Sequence, residues 1–130
     1  MKKILILVIA VVLLAGCTAK ESENTYNQIS MTEAVSMMEE ETDYIILDVR
    51  TAEEYEEKHI TGAINVPNEE IGNEEIELLP DKDAIILVYC RSGNRSKQAS
   101  EKLANLGYTN IYEFGGINDW KGETVSGKAE

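Results

Sequence analysis

The chain has 130 residues, of which 43% are hydrophobic and 28% are charged. This length and composition suit one globular domain with one hydrophobic core and exclude a second domain. Acidic residues outnumber basic residues by 24 to 12, which gives a formal charge of −12 at pH 7. Because nucleic-acid binding depends on basic residues that neutralise phosphates, we expect no nucleic-acid partner.

The first segment of the chain has the layout of an export signal. Two lysines precede an unbroken apolar run over residues 4–15, and this run is shorter than the roughly 20 residues that span a membrane. The run ends in Leu14-Ala15-Gly16-Cys17, which resembles the lipobox of bacterial lipoprotein signal peptides. In that family the cysteine receives a diacylglycerol and becomes the mature N-terminus. The resemblance implies a signal peptide over residues 1–16 and lipid on Cys17.

The remaining chain is predicted to have three parts: a lipidated polar tether over residues 17–27, a folded domain over residues 28–125 and a tail over residues 126–130. Loss of the two signal lysines leaves 10 basic against 24 acidic residues, a formal charge of −14. Such a surface repels anionic headgroups, so the acyl chains must provide the anchor. We therefore expect an extracytoplasmic protein that is lipid-anchored to a bacterial membrane. An uncleaved apolar anchor, and an ordinary signal peptide with a chance cysteine, are the weaker alternatives.

Capping residues and apolar runs predict that helices alternate with buried strands. Ser30-Met31-Thr32-Glu33 is a capping box that opens an amphipathic helix. The isoleucine-rich run over residues 44–47 is typical of a strand buried on both faces. Thr51-Ala52-Glu53-Glu54 repeats the capping pattern and predicts a short helix that runs toward Lys58.

The second half of the chain continues this alternation. Residues 84–89 form a second apolar run, and a helical spacing begins at about Ser96 and ends at Gly107, which is placed to adopt a left-handed cap. Residues 111–114 are predicted to form a third strand and residues 117–120 a closing helical turn. The order of elements predicts a small α/β domain with a mainly parallel central sheet flanked by helices.

Cys90 follows the second predicted strand, at the edge of the sheet where ligands bind in such folds. With Cys17 assigned to lipid, it is the remaining thiol of the chain, so no intramolecular disulfide can form. The polar loop behind it consists of Arg91, Ser92, Gly93, Asn94, Arg95 and Ser96. Inward backbone N–H groups, the following helix dipole and the two arginines all favour a thiolate. We interpret Cys90 as a reactive nucleophile rather than an inert core cysteine.

The order and spacing of several motifs resemble the rhodanese family, which comprises thiosulfate sulfurtransferases and their single-domain relatives. The motifs are Ile46-Leu47-Asp48-Val49-Arg50, Glu54-Tyr55, residues 59–67, the loop over residues 90–96, and Gly115-Gly116 ahead of Trp120. The resemblance covers residues 30–122. It implies that Cys90 takes a sulfane sulfur from a donor such as thiosulfate, holds it as a persulfide and passes it to a thiol or a cyanide-like acceptor. It also implies that Arg91 binds the anionic donor.

We expect a monomer without a cofactor. We also expect no metal ion, because the adjacent acidic pairs lack the spacing of cation ligands. By the same resemblance Asp48 lines the pocket, and binding of local turn amides is an equally good alternative for it. Arg95 either faces the pocket or holds the loop, and we favour the second. Arg50 is predicted to pair with a nearby glutamate such as Glu54. His59 is interpreted as structural.

Two other functions remain open. Tyrosine phosphatases use the pattern C-x5-R, which requires an arginine at the position of Ser96, whereas here Arg95 stands one residue earlier. The resulting cradle is a residue shorter and should fit a sulfur better than a phosphoryl group. The other alternative is a rhodanese-like binding module without turnover, which recruits a partner to the membrane. Because Cys90 stands in an intact loop, we favour the enzyme.

Overall fold

A parallel five-stranded sheet forms the centre of the computed structural model, which describes residues 25–128. Its strands lie in the order β1-β6-β5-β2-β4. In chain order they are β1 (Asn27–Gln28), β2 (Tyr44–Asp48), β4 (Ile64–Asn65), β5 (Ile85–Cys90) and β6 (Asn110–Gly116). A separate antiparallel pair consists of β3 (His59–Ile60) and β7 (Thr124–Val125). The predicted signal peptide and Cys17 lie outside the described residues.

Within residues 25–128, three helices accompany the sheet: α1 (Met31–Glu40), α2 (Ala52–Glu57) and α3 (Asn94–Asn105). Short 3-10 turns occupy Asn68–Glu70 and Ile117–Asp119. Both predicted capping boxes are present, since the side chains of Ser30 and Thr51 accept the backbone N–H groups of Glu33 and Glu54. Gly107 ends α3 in the left-handed conformation with φ +99°. The predicted α/β class with a mainly parallel sheet is confirmed.

The sheet is buried on both faces, as the continuous apolar strands predict. Successive residues of β5 point to opposite sides, so that Val88 and Cys90 pack with Leu103 of α3 in one core cluster. Leu87 and Tyr89 join the second cluster, which includes residues of α1 and β6. The two cores fix β5 rigidly from both sides and therefore fix the position of Cys90 at its end.

Some boundaries differ from the prediction. Helix α3 begins at Asn94, before the predicted Ser96, because Gly93 adopts φ +116° and serves as its N-cap. The tether was predicted to extend to Asn27, but Asn27 pairs with Tyr112 in the sheet. The predicted tail also begins with ordered contacts, since Ser126 Oγ donates to Glu57 O at 2.9 Å. Within residues 25–128, no helix is long and apolar enough to cross a membrane.

Candidate active site

Cys90 ends β5 and lies beneath the turn that leads into α3. The residue is only 1% exposed. Gly93 turns its backbone N–H back toward the sulfur and donates to Cys90 Sγ at 2.9 Å. Its φ of +116° lies in the left-handed region, which glycine enters without steric cost. The loop therefore presents a hydrogen-bond donor to the sulfur, a contact that stabilises negative charge on that atom.

The end of β6 supports this loop through a close backbone approach. A Cβ atom on Gly116 would lie 1.9 Å from Arg91 O, so no side chain fits there without moving the loop. The next turn adds a hydrogen bond, since Asn118 N donates to Arg91 O at 3.1 Å. This close approach explains why the chain carries a glycine at position 116, directly ahead of the closing turn.

Ser96 lies on the inner side of the loop and is completely buried. Its Oγ is 3.4 Å from Cys90 Sγ, within hydrogen-bond reach of the thiol. On its other side the same hydroxyl contacts Glu113 Oε2 at 2.5 Å. The sixth residue after the cysteine thus places a neutral hydroxyl beside the sulfur and a carboxylate behind that hydroxyl.

Arg91 and Arg95 share a single carboxylate, that of Glu54 on α2. Arg91 contacts Glu54 Oε2 at 2.8 Å, and Arg95 contacts both oxygens at 2.7 and 3.1 Å. The hydrogen bond from Arg95 holds the pKa of Glu54 well below its usual range, with a further contribution from Arg91. The Glu54 hydrogen bond likewise raises the pKa of Arg95. In this structure Arg95 holds the loop to α2, whereas the Arg91 side chain is 59% exposed.

Arg50 was predicted to pair with Glu54, but in the structure it pairs with Asp48. The two form a buried ion pair in which Arg50 reaches Asp48 Oδ2 at 2.7 Å. The prediction was wrong because the Glu54 carboxylate is occupied by the two loop arginines. Burial lowers the pKa of Arg50, but the hydrogen bond and charge of Asp48 outweigh it and raise the pKa.

Asp48 itself is completely buried and lies directly opposite Tyr89 in the sheet. Its Oδ2 accepts the Tyr89 hydroxyl at 2.6 Å, and its Oδ1 accepts the backbone N–H of Arg50 at 2.9 Å. Asp48 thus binds one local backbone amide together with the Tyr89 hydroxyl and the Arg50 guanidinium. Burial, together with the charge of Asp48, raises the pKa of Tyr89. This network holds the residue just before Cys90 in place.

The single histidine has structural contacts. The His59 ring stacks on Tyr55 with 3.6 Å between ring centroids, and its Nδ1 lies 2.8 Å from Tyr55 O. Ser92 and Asn94, the remaining loop candidates, are exposed at the surface of the loop. The structure thus brings Cys90, Gly93 and Ser96 together and leaves those two side chains facing solvent.

Two acidic residues of this site were not identified from the sequence. Glu54 was assigned to Arg50, although its partners are the loop arginines. Glu113 was passed over within the third predicted strand. The sequence did contain a signal for Glu113. Residues two positions apart in a strand point to the same face, so Glu113 shares the face of the apolar Ile111 and could be expected to be buried.

Comparisons with known proteins agree on one kind of domain. A family model described as a rhodanese-like domain matches residues 30–123. The chain is similar to thiosulfate sulfurtransferase PspE of Escherichia coli strain K12, with 41% identity over 73 residues, or 56% of this chain and 70% of that protein. It is 34% identical to thiosulfate sulfurtransferase GlpE of Coxiella burnetii over 97 residues, or 74% of this chain and 88% of GlpE.

Solved structures share the fold. A rhodanese with anions from E. coli aligns with a TM-score of 0.59 and 38% identity, over 65% of this chain and 99% of that one. The rhodanese-like domain of the Anabaena protein Alr3790, solved by NMR, aligns with a TM-score of 0.69 and 28% identity over 78% of this chain and 80% of that one. Sequence and structure therefore indicate the same family.

Proposed function

The chain belongs to the rhodanese family, and from that premise we propose that it moves a sulfane sulfur from a donor such as thiosulfate to a thiophilic acceptor through a persulfide on Cys90. The observation that carries the proposal is the contact of Gly93 N with Cys90 Sγ at 2.9 Å, in a loop closed by Ser96. A nucleophilic cysteine needs its thiolate form, and a backbone N–H directed at the sulfur stabilises that form.

The proposed reaction has two steps, each a displacement at sulfur. The Cys90 thiolate attacks the outer sulfur of thiosulfate, a new S–S bond forms, and the old S–S bond breaks so that sulfite leaves with its electron pair. An acceptor such as cyanide or a thiolate then attacks the outer sulfur of the persulfide. The electron pair of that bond returns to Cys90, so no external oxidant or reductant is needed.

Arg91 is the proposed binding group for the anionic donor. Its side chain is 59% exposed, and one of its amino groups is held by Glu54 next to the loop. A guanidinium at this position can pair with two oxygens of an anion in a fixed geometry. Arg95 is proposed to act indirectly, because its contacts with both oxygens of Glu54 hold the loop against α2.

The sixth position after the cysteine argues against a phosphatase. An enzyme of that class needs an arginine there to bind the equatorial oxygens of a phosphoryl group. Here Ser96 occupies the position and its hydroxyl contacts the Glu113 carboxylate at 2.5 Å. A neutral hydroxyl at this position supplies no positive charge for the oxygens of a phosphoryl dianion. The site therefore favours a sulfur atom as the group transferred.

We also propose that the protein works as a monomer tethered to the outer face of a bacterial membrane. The support is the lipobox-like motif that ends in Cys17, behind two lysines and an apolar run. Two acyl chains on the cysteine would be sufficient for stable anchoring.

Transfer of sulfur from thiosulfate to cyanide tests the proposed function. The soluble domain that begins after Cys17 should produce thiocyanate, and Cys90→Ser should reduce the rate to background, since a serine hydroxyl is scarcely ionised and forms no persulfide. Circular dichroism of both proteins controls for folding. A folded Cys90→Ser protein that still produces thiocyanate would contradict the mechanism, and an inactive wild-type protein would favour the binding module.

A further inference from the structure

Glu113 is a buried carboxylate that has no role in the two displacement steps proposed above. It lies on β6 with 2% of its surface exposed. Its Oε2 accepts hydrogen bonds from Ser96 Oγ at 2.5 Å and from Gly115 N at 3.0 Å. Among residues 25–128, no lysine or arginine forms an ion pair with it. A buried carboxylate without a cation is costly to keep ionised, so this position calls for an explanation.

Ser96 connects this carboxylate to the nucleophile. The Ser96 hydroxyl is buried between the two, 3.4 Å from Cys90 Sγ and 2.5 Å from Glu113 Oε2. A hydroxyl can accept one hydrogen bond while it donates another. The thiol of Cys90 can therefore donate to Ser96 while Ser96 donates to Glu113, which forms a continuous chain of hydrogen bonds from β5 to β6.

Two further titratable side chains, those of Arg95 and Tyr26, lie near these hydrogen bonds. Arg95, on α3, feels the charge of Cys90 but is paired with Glu54. Tyr26 lies next to β1, and burial, together with the charges of Glu113 and Glu101, raises the pKa of its hydroxyl. Cys90 and Glu113 are thus the two groups that compete for a proton within the chain of hydrogen bonds.

We propose that Glu113 is a positioning residue that accepts the Cys90 proton through the Ser96 hydroxyl. The inference rests on the proposed sulfur transfer. The S–H bond of Cys90 breaks as its proton goes to Ser96 Oγ, and the Ser96 proton goes to Glu113 Oε2. The electron pair stays on sulfur. The products are a thiolate, an unchanged serine and a neutral carboxylic acid.

The charge balance of the site favours this arrangement. Before and after the proton transfer, the three hydrogen-bonded groups together carry one negative charge, first on Glu113 and then on Cys90. Two anions so close together would repel each other, so the pair is expected to hold a single proton. A thiolate is produced without placing a second charge in the interior. The Gly93 N–H at 2.9 Å then stabilises the charge on sulfur.

The pH dependence of Cys90 reactivity distinguishes this role from a merely structural one. In the wild-type protein, alkylation by iodoacetamide and sulfur loading from thiosulfate should both change little with pH around neutrality. In Glu113→Gln the proton must leave to solvent, so both rates should rise about tenfold for each pH unit below the ionisation of the thiol. Glu113→Asp, which keeps a carboxylate, should restore a flat profile at a lower rate.

Two further variants complete the test. Ser96→Ala interrupts the chain of hydrogen bonds without touching Glu113 and should give the same pH-dependent profile, so it decides the question if Glu113→Gln does not fold. Glu101→Gln removes an exposed carboxylate of α3 and serves as the matched control, with a profile like that of the wild type. Equal profiles for the wild type and the folded Gln or Ala variants would overturn the inference. A wild-type protein that is alkylated but never loads sulfur would instead overturn the proposed sulfur transfer.

Discussion

Cys90 is nearly enclosed, so the shape of a reagent decides whether it reaches the sulfur. Only 1% of the residue is exposed, and the loop N–H of Gly93 already occupies one side of Sγ. A donor must therefore present a slender, terminal sulfur. Thiosulfate does so, because its outer sulfur projects away from the three oxygens. Its anionic oxygens can then remain at the loop surface, next to Arg91.

The first prediction concerns Arg91. In Arg91→Ala the loss of one charged hydrogen-bonding partner, about 1.5 kcal/mol, should raise the KM for thiosulfate roughly tenfold and change kcat little. Lys97→Ala removes an exposed cation of α3 outside the loop and is the matched control. Steady-state kinetics at constant ionic strength measure both. An unchanged KM for Arg91→Ala, or an equal increase in Lys97→Ala, would exclude a specific role for Arg91 in donor binding.

At the scale of elements, the loop depends on the strand beside it as much as on its own residues. The backbone of β6 approaches Arg91 O so closely that only a glycine fits at position 116. The same strand carries Glu113, and the following turn donates to the loop carbonyl through Asn118. The end of β6 thus sets the geometry around Cys90.

Gly116→Ala should therefore move the loop. A Cβ atom 1.9 Å from Arg91 O cannot be accommodated without a backbone shift, and we expect a loss of more than about 2 kcal/mol in the free energy of unfolding, with thiosulfate activity reduced at least tenfold. Gly72→Ala is the control, because nothing lies within 4 Å of its Cβ position. Urea unfolding and kinetics of both variants test this. A fully active, equally stable Gly116→Ala protein would contradict the packing argument.

The contact between α2 and the loop should depend on pH. The pKa of Glu54 is lowered in the folded state by Arg95 and Arg91. The contribution of the Glu54 carboxylate to the free energy of unfolding is therefore complete above its pKa in the unfolded chain, about 4.3. This contribution is lost as the pH falls from there toward the lower pKa of the folded state. Glu54→Gln keeps the capping pattern of α2 but removes both ion pairs, so it should unfold about 1–2 kcal/mol more easily at pH 7.

The difference between Glu54→Gln and the wild type should shrink at about pH 3, since the Glu54 carboxyl group of the unfolded chain is then protonated while that of the folded protein is still ionised. Urea unfolding at the two pH values measures it. Glu53→Gln, the exposed neighbour on α2, should match the wild type at both. A constant difference between Glu54→Gln and the wild type, or none at pH 7, would show that the ion pairs do not stabilise the fold.

Two of the helices could be predicted because their capping signals lie within a few neighbouring residues. The ion pairs of Glu54 with the loop arginines could not be predicted because they join residues that are far apart in the sequence. Capping boxes at Ser30 and Thr51 need only four residues, so α1 and α2 could be located from the sequence. The two-residue strands have too few positions to show any periodicity. The partners of Glu54 lie 37 and 41 residues further along the chain, and nothing in the local sequence distinguishes them from Arg50.

For the molecule as a whole, the acidic surface and the N-terminal motif both bear on the proposed membrane location. The chain has 24 acidic and 12 basic residues, so its surface does not hold it to anionic lipids. Anchoring through Cys17 would place the domain at a membrane in spite of this charge. Thiosulfate, the proposed donor, is also an anion, so its capture would rely on the local field of the loop arginines rather than on long-range attraction.

We predict that the full chain, expressed in a bacterium that processes lipoproteins, fractionates with membranes and carries acyl groups on Cys17. Cys17→Ala should abolish labelling by a radioactive fatty acid, since the modification requires the thiol. Cys90→Ala is the matched control, because it removes the other cysteine and should leave labelling intact. Recovery of the wild-type protein in the soluble fraction, with no acyl mass on its N-terminal peptide, would contradict the prediction.

A mass spectrum of the intact domain after exposure to thiosulfate shows directly whether Cys90 carries sulfur. We expect the protein to gain the mass of one sulfur atom, the gain to map to the peptide containing Cys90, and cyanide to remove it. The same preparation should show negligible hydrolysis of an aryl phosphate under reducing conditions. No sulfur on Cys90 together with robust phosphate release would contradict the account and make the phosphatase the better interpretation.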